Sequence, residues 1–141
     1  MAGKAEKIIK RQHLDNGMEI IMYDCSRPMV GDRWQVELQC EAYIPIEDSY
    51  WKTAAQEDQW ILEGIRNRLG GRLVQTFGKK RTFVVEKERE RLLQEMVQQV
   101  YSGLMEYLKR PEFPLRLFKK QYLEARQKLL LQQAMGRMVE D

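Results

Sequence analysis

Histidine and cysteine are scarce in this chain of 141 residues, which holds one histidine, His13, and two cysteines, Cys25 and Cys40. These residues lack the CxxC-type spacing of structural zinc sites, so the sequence predicts no metal site. Two cysteines fit a reducing compartment more simply than a disulfide-bonded secreted protein. We therefore expect a cytoplasmic protein, and a single Cys25–Cys40 bridge is the alternative for a secreted chain.

The motifs of common catalytic and nucleotide-binding sites are also missing. The chain contains no GxSxG, GxxxxGKS or GxGxxG pattern, so we predict no catalytic residue, no cofactor and no enzymatic activity. A site built on Cys25 with His13, or on two carboxylates, is the weaker alternative. Free cysteines are mostly packing residues, and acids such as Glu57 favour turns and helix starts in any case.

No apolar run approaches the roughly 20 residues that span a bilayer, so no membrane segment is predicted. The first residues, MAGKAEKIIKRQH, lack the apolar core of a secretory signal. The length fits one domain over residues 1–141, and we expect residues 1–5 to be disordered.

Alternating apolar residues predict an antiparallel sheet. We expect strands over residues 7–14, over MEIIMYDC (18–25) and over WQVELQCEAYIPI (34–46). Asn16 and Gly17 form a strong hairpin signal between the first two. The stretch LDNGMEIIMYD (14–24) resembles the opening hairpin of pitrilysin-type metalloproteases, but the HxxEH zinc motif of that family is absent. The resemblance therefore implies a hairpin and no zinc chemistry.

Helical periodicity follows. Residues 53–71 are predicted to form a helix, with Thr53 and Gln56 as a capping box and Gly70 at its left-handed end. Apolar stripes over residues 87–110 and 115–135 predict two further helices, which we expect to pair as an antiparallel C-terminal hairpin.

Residues 72–86 are predicted to form a second hairpin. A three-residue loop, Gly78-Lys79-Lys80, would place four apolar residues on one face of it: Leu73, Phe77, Phe83 and Val85. The predicted fold is thus α+β, in the order βββαββαα. It is an antiparallel sheet of about five strands covered by helices.

Charge is strongly segregated along the chain. Residues 14–63 hold three basic and eleven acidic side chains, whereas residues 64–85 hold six basic and no acidic ones. Segregated charge can attract a partner or a second copy of the chain, and the wide helical stripes need apolar contacts. We therefore expect a small non-enzymatic interaction module that self-associates as a homodimer or binds a protein partner. No small-molecule ligand is inferred.

The alternative function is nucleic-acid or anion binding by the basic stretch 66–81. Its cations would contact phosphates while Phe77 or Phe83 stacks on a base. The candidate contacts are the six basic residues of the stretch: Arg66, Arg68, Arg72, Lys79, Lys80 and Arg81.

Overall fold

The computed structural model describes residues 7–54 and 56–140, with side chains up to residue 137. Residues 1–5, for which disorder was expected, lie outside this range. The chain divides into two compact units. The sheet unit comprises the residues up to Tyr43 together with Val74–Pro111, and the helix unit comprises Ile44–Leu73 and the residues from Glu112 onward. The single domain over residues 1–141 stays a prediction.

The sheet unit begins with the predicted hairpin. Strands β1 (Lys7–His13) and β2 (Glu19–Asp24) pair in antiparallel fashion. The turn between them contains Gly17 at a φ of 92°, a conformation that favours glycine. The side-chain amide of Asn16 donates to the C=O groups of Leu108 and Arg110 at 2.8 and 2.9 Å. The turn residue therefore also satisfies carbonyls at the end of a helix.

Strand β4 (Arg33–Pro45) lies at the centre of the sheet, and β2 and the two-residue strand β3 (Arg27–Pro28) both pair with it. The predicted alternation is confirmed over most of β4, because its even-numbered apolar residues are buried: Val36, Leu38, Cys40, Ala42 and Ile44. Trp34 is the exception. It is half-buried, and the guanidinium of Arg89 lies 4.0 Å above its ring.

The hairpin predicted for residues 72–86 is wrong. Residues Arg72–Val85 form one continuous strand, β5, which pairs with β4. The hairpin prediction fails because Gly78 does not act as a turn residue. It does not have a positive φ, and a Cβ built on it would lie 2.7 Å from the carbonyl oxygen of Leu38. Gly78 therefore permits close approach between strands instead of a turn.

Helices follow β5 in the sheet unit. A short 3-10 helix, Glu86–Glu88, leads into α2 (Arg89–Gln99), a π-helical stretch (Val100–Leu104) and α3 (Met105–Leu108). The apolar stripe predicted over residues 87–110 is buried at Leu93, Val100 and Leu108. Around the π-helical stretch, the hydroxyl of Tyr101 donates to Gln12 of β1 at 2.7 Å.

The helix unit contains a 3-10 helix (Asp48–Ala54), α1 (Gln59–Leu69) and the long α4 (Phe113–Glu140). The predicted capping box is wrong, because α1 starts only at Gln59 and the Thr53 hydroxyl instead donates to the Tyr50 C=O at 2.8 Å. The expected positive φ is found at Gly70, at 69°, but its ψ of −150° lies outside the left-handed helical conformation. Ile61, Ile65 and Ala125 form the core between α1 and α4.

The predicted α+β class is confirmed by a five-stranded antiparallel sheet combined with helices. The element order differs from the predicted βββαββαα, because β3 interrupts the connection to β4 and β5 is one strand. Pairing of the two C-terminal helical segments stays a prediction, since they belong to different units. Over residues 7–54 and 56–140, no helix is both long and apolar enough to cross a membrane.

Candidate nucleic-acid interface

The central feature of the candidate site is an exposed basic segment of β5, residues 78–83, with the sequence GKKRTF. All six residues of this segment are exposed, although side chains on a strand alternate between its two faces. Lys79 and Arg81 therefore project from one face and Lys80 from the other. Within the described parts of the chain, no carboxylate lies within ion-pair distance of these three cations.

Phe83 is the last residue of the basic segment, and its backbone has an unusual conformation. Its φ is 59°, in the left-handed region that bulky residues rarely adopt, and its side chain is 68% exposed. The next residue, Val84, is only 8% exposed. The left-handed residue thus reverses the alternation of β5, and the aromatic ring of Phe83 faces solvent at the end of the basic segment.

The basic segment is supported by β4 at its first residue. Gly78 lies against the backbone of Leu38, and its built Cβ would also approach the Gln39 side chain to 3.3 Å. Glu37 accepts hydrogen bonds from the amides of Gln35 and Gln39, at 3.2 and 2.5 Å. The bond to Glu37 thus holds the Gln39 side chain beside Gly78.

The helix-end cations behave differently from those of the basic segment. Arg66 and Arg68 lie on α1 in the helix unit, whereas Lys79, Lys80 and Arg81 belong to the sheet unit. The Arg66 guanidinium lies 4.3 Å above the Trp51 ring, and Arg68 donates to Gln132 at 2.5 Å. Both guanidinium groups therefore have structural contacts within their own unit.

Arg72 is exposed at the start of β5 and also makes an interaction with its surroundings. The six predicted cations are thus not equivalent. The basic segment accounts for three of them, and within the described residues these three have no ion-pair, side-chain hydrogen-bond or cation–π partner, unlike Arg66 and Arg68.

The arrangement of the thiols argues against a Cys–His nucleophile. In the β1–β2 ladder His13 pairs with Glu19, while Asp24, the neighbour of Cys25, pairs with Lys7. His13 and Cys25 therefore lie at opposite ends of the hairpin, about 20 Å apart at the usual strand rise. His13 instead approaches the Glu19 carboxylate at 3.5 Å.

Cys40 is fully buried in β4, and this burial raises the pKa of its thiol to about 11. It therefore stays protonated and unreactive at neutral pH. In the part of the chain that the structure describes, no group of three or more His, Cys, Asp or Glu residues is arranged to hold a metal ion.

The predicted hairpin places Phe83 on one apolar face with Leu73 and Phe77, whereas the nucleic-acid alternative needs Phe77 or Phe83 to be exposed. Phe83 is exposed, and its positive φ is the feature that the sequence does not indicate. A second arrangement that it missed joins Glu57 to Tyr122 and Arg126 in the helix unit. The only signal for it is the spacing of Tyr122 and Arg126, four residues apart on one helical face. No protein family, curated protein or solved structure matches this chain.

Proposed function

We propose that this chain is a non-enzymatic module that binds single-stranded nucleic acid through the basic segment of β5. The observation that carries the proposal is the exposed, left-handed Phe83 at the end of a run containing Lys79, Lys80 and Arg81. Strained residues are retained where the surrounding structure fixes them, and they cluster at functional sites. An aromatic ring fixed in solvent beside cations suits stacking on a base while the cations contact phosphates.

A single strand fits this geometry better than a duplex. The bases of a duplex are stacked on one another, so that a side chain from an edge strand has no free base face to cover. In a single strand every base offers such a face, and stacking contributes about 1–3 kcal/mol per base. Stacking on a base face and contacts to phosphates do not depend on base identity, so we expect binding with little sequence preference.

The compartment is part of the proposal. Neither Cys25 nor Cys40 forms a disulfide within the described residues, which fits the reducing cytoplasm where nucleic acids are abundant. We place the function there.

Fluorescence anisotropy with a labelled thymidine oligonucleotide tests the proposal. We expect binding that is stronger for the single strand than for a duplex of the same length, and that weakens by about tenfold in Phe83→Ala, because one stacked base is lost. Tyr107→Ala is the matched control, since Tyr107 is also an exposed aromatic residue of the sheet unit, at 41% exposure. Equal affinity of both variants would exclude stacking by Phe83.

A second candidate function is self-association through α4, in agreement with the interaction module expected from the sequence. Residues 131–137 are all exposed and include Leu131 and Met135, at 60% and 55%. An isolated helical end of this length is marginal in water without tertiary contacts, so a second copy of the chain packed along α4 would stabilise it. Light scattering over a range of concentrations tests this: a dimer that Leu131→Asp dissociates supports self-association, and a monomer at all concentrations contradicts it.

A further inference from the structure

The helix unit contains a three-residue cluster that is separate from the basic segment of β5. The Oε1 atom of Glu57 accepts hydrogen bonds from the Tyr122 hydroxyl at 2.8 Å and from Nε of Arg126 at 2.9 Å. Glu57 lies in the turn before α1, and its side chain is only 15% exposed, whereas that of Arg126 is 38% exposed. The carboxylate thus ties the turn to two successive turns of α4.

The protonation states in this cluster follow from its contacts. The hydrogen bond from Arg126, followed by the one from Tyr122, lowers the pKa of the Glu57 carboxyl. Desolvation, together with the bond to Glu57, raises the pKa of Tyr122 to about 12. Near neutral pH, Glu57 is therefore an anion and Tyr122 a neutral donor.

The geometry leaves part of Arg126 available. Its Nε is used by Glu57, and neither of its two terminal nitrogens has a hydrogen-bond partner within residues 7–54 and 56–137. A guanidinium held through Nε presents its terminal nitrogens as a fixed fork, which matches the two oxygens of a carboxylate. Glu57 is therefore a positioning residue that orients Arg126.

Two adjoining cavities lie beside this cluster. One, of about 310 Å³, includes Glu57 and Arg126 in its lining, and the other, of about 300 Å³, includes Phe118 and Lys119. Both are also lined by the same three residues, which join them: Thr53, Tyr122 and Leu123. Together they combine cations with an apolar wall, as small-molecule sites commonly do.

The apolar wall is firmly supported. Phe118 is fully buried, and its ring centroid lies 5.0 Å from that of Trp51 in an edge-on arrangement and 5.9 Å from that of Tyr122. Tyr50 packs on the same ring at 5.4 Å. By contrast, Leu123 is 58% exposed at the cavity mouth, where a ligand could cover it.

We propose that these cavities bind a small organic carboxylate with an aromatic or aliphatic body. The terminal nitrogens of Arg126 would hold the carboxylate, and the body would lie on Tyr122 and Leu123, with Lys119 as a second cation. The lining carries two positive charges and the one negative charge of Glu57, which suits a monoanion. Asp58 acts on Arg126 through space but does not line either cavity.

NMR titration of the full chain with acetate, hexanoate and benzoate, and with neutral benzamide, tests the proposal. We expect saturable shifts of the Thr53, Leu123 and Arg126 amide resonances with benzoate and hexanoate. Binding of benzamide should be at least about tenfold weaker, because its neutral amide forms only one of the two charge-assisted bonds. Equal affinity for benzoate and benzamide, or no saturable binding of any acid, would overturn the proposal.

Three variants separate binding from folding. Arg126→Gln should weaken benzoate binding by about tenfold or more, since it removes the charged fork. Arg116→Gln, an exposed cation on the same helix, should leave binding unchanged. Glu57→Gln should weaken benzoate binding less than Arg126→Gln does, because it only loosens the orientation of the guanidinium. Benzoate binding that survives intact in Arg126→Gln would refute the assignment, whatever the outcome of the nucleic-acid experiments.

Discussion

Gly78 of β5 approaches Leu38 of β4 so closely that a Cβ built on Gly78 would lie 2.7 Å from the Leu38 carbonyl oxygen. Real Cβ atoms essentially never make such a contact, and a backbone oxygen within a sheet cannot easily move away. This contact fixes where the basic segment starts, because it sets the path of β5 just before Lys79. The position of the candidate site therefore depends on the absence of one methyl group.

Substitution of this glycine should be costly. Gly78→Ala is expected to lower the free energy of unfolding by about 1–3 kcal/mol, the usual cost of overpacking. Urea unfolding followed by circular dichroism measures the change. The matched control is Gly103→Ala, because a Cβ at Gly103 meets nothing within 4 Å and alanine favours helix. Similar stabilities for the two variants would show that β5 does not approach β4 in this way.

Phe83 offers a test of backbone strain. Glycine adopts a positive φ without penalty, whereas alanine retains the Cβ that opposes it. Phe83→Gly should therefore be more stable than Phe83→Ala by about 1 kcal/mol. Both variants lose the same largely exposed ring, so the difference reports the conformation alone. Thermal unfolding measures it, and an alanine variant as stable as the glycine variant would contradict the left-handed conformation.

These two residues also show why part of the fold could not be predicted. The alternation along residues 34–46 predicts β4 correctly because one face of that strand is buried over nearly its whole length. The path of β5 depends instead on a contact of Gly78 with a strand far away in sequence. A glycine beside two lysines is typical of a turn, and no sequence pattern signals a phenylalanine with positive φ.

The candidate site could be predicted only in part, because it too depends on contacts between residues that are far apart in sequence. Basic composition alone selects all six cations, but it cannot show which of them have partners. Arg66 contacts Trp51 and Arg68 contacts Gln132, and both contacts depend on how the helix unit folds. Lys79, Lys80 and Arg81 have no such partner within the described residues, because both faces of their strand are exposed over residues 78–83.

The Glu57 cluster should make stability depend on pH. The pKa of Glu57 is lowered in the folded state, so its contribution is present above the unfolded value near 4.5 and is lost as pH falls through the folded pKa. Glu57→Gln should therefore be less stable than the unmodified chain at pH 7, and the difference should shrink below pH 4.5.

Denaturant unfolding at several pH values measures this difference. Glu63→Gln, at an exposed position of α1, is the control and should show a smaller change with pH. A stability difference between the Glu57 variant and the unmodified chain that is constant from pH 7 to pH 3 would contradict the ionised cluster.

The two thiols should differ in reactivity. Cys40 is buried and its pKa is raised to about 11, whereas Cys25 is only half-buried. At pH 8, iodoacetamide should modify Cys25 in the folded protein and modify Cys40 only after denaturation. Mass spectrometry of peptides containing each cysteine measures the two rates. Equal rates in the folded protein would show that β4 opens readily.

The salt dependence of oligonucleotide binding tests the central claim most directly. Three cations that neutralise phosphates of a single strand predict a slope of about −2 when the logarithm of the binding constant is plotted against that of the salt concentration. Replacing Lys79, Lys80 and Arg81 by alanine should bring the slope close to zero. The same triple replacement at Lys87, Lys109 and Arg110, which removes equal charge from other exposed positions of the sheet unit, should leave it near −2. If the two triple variants instead show the same slope, the basic segment of β5 is not the site of binding.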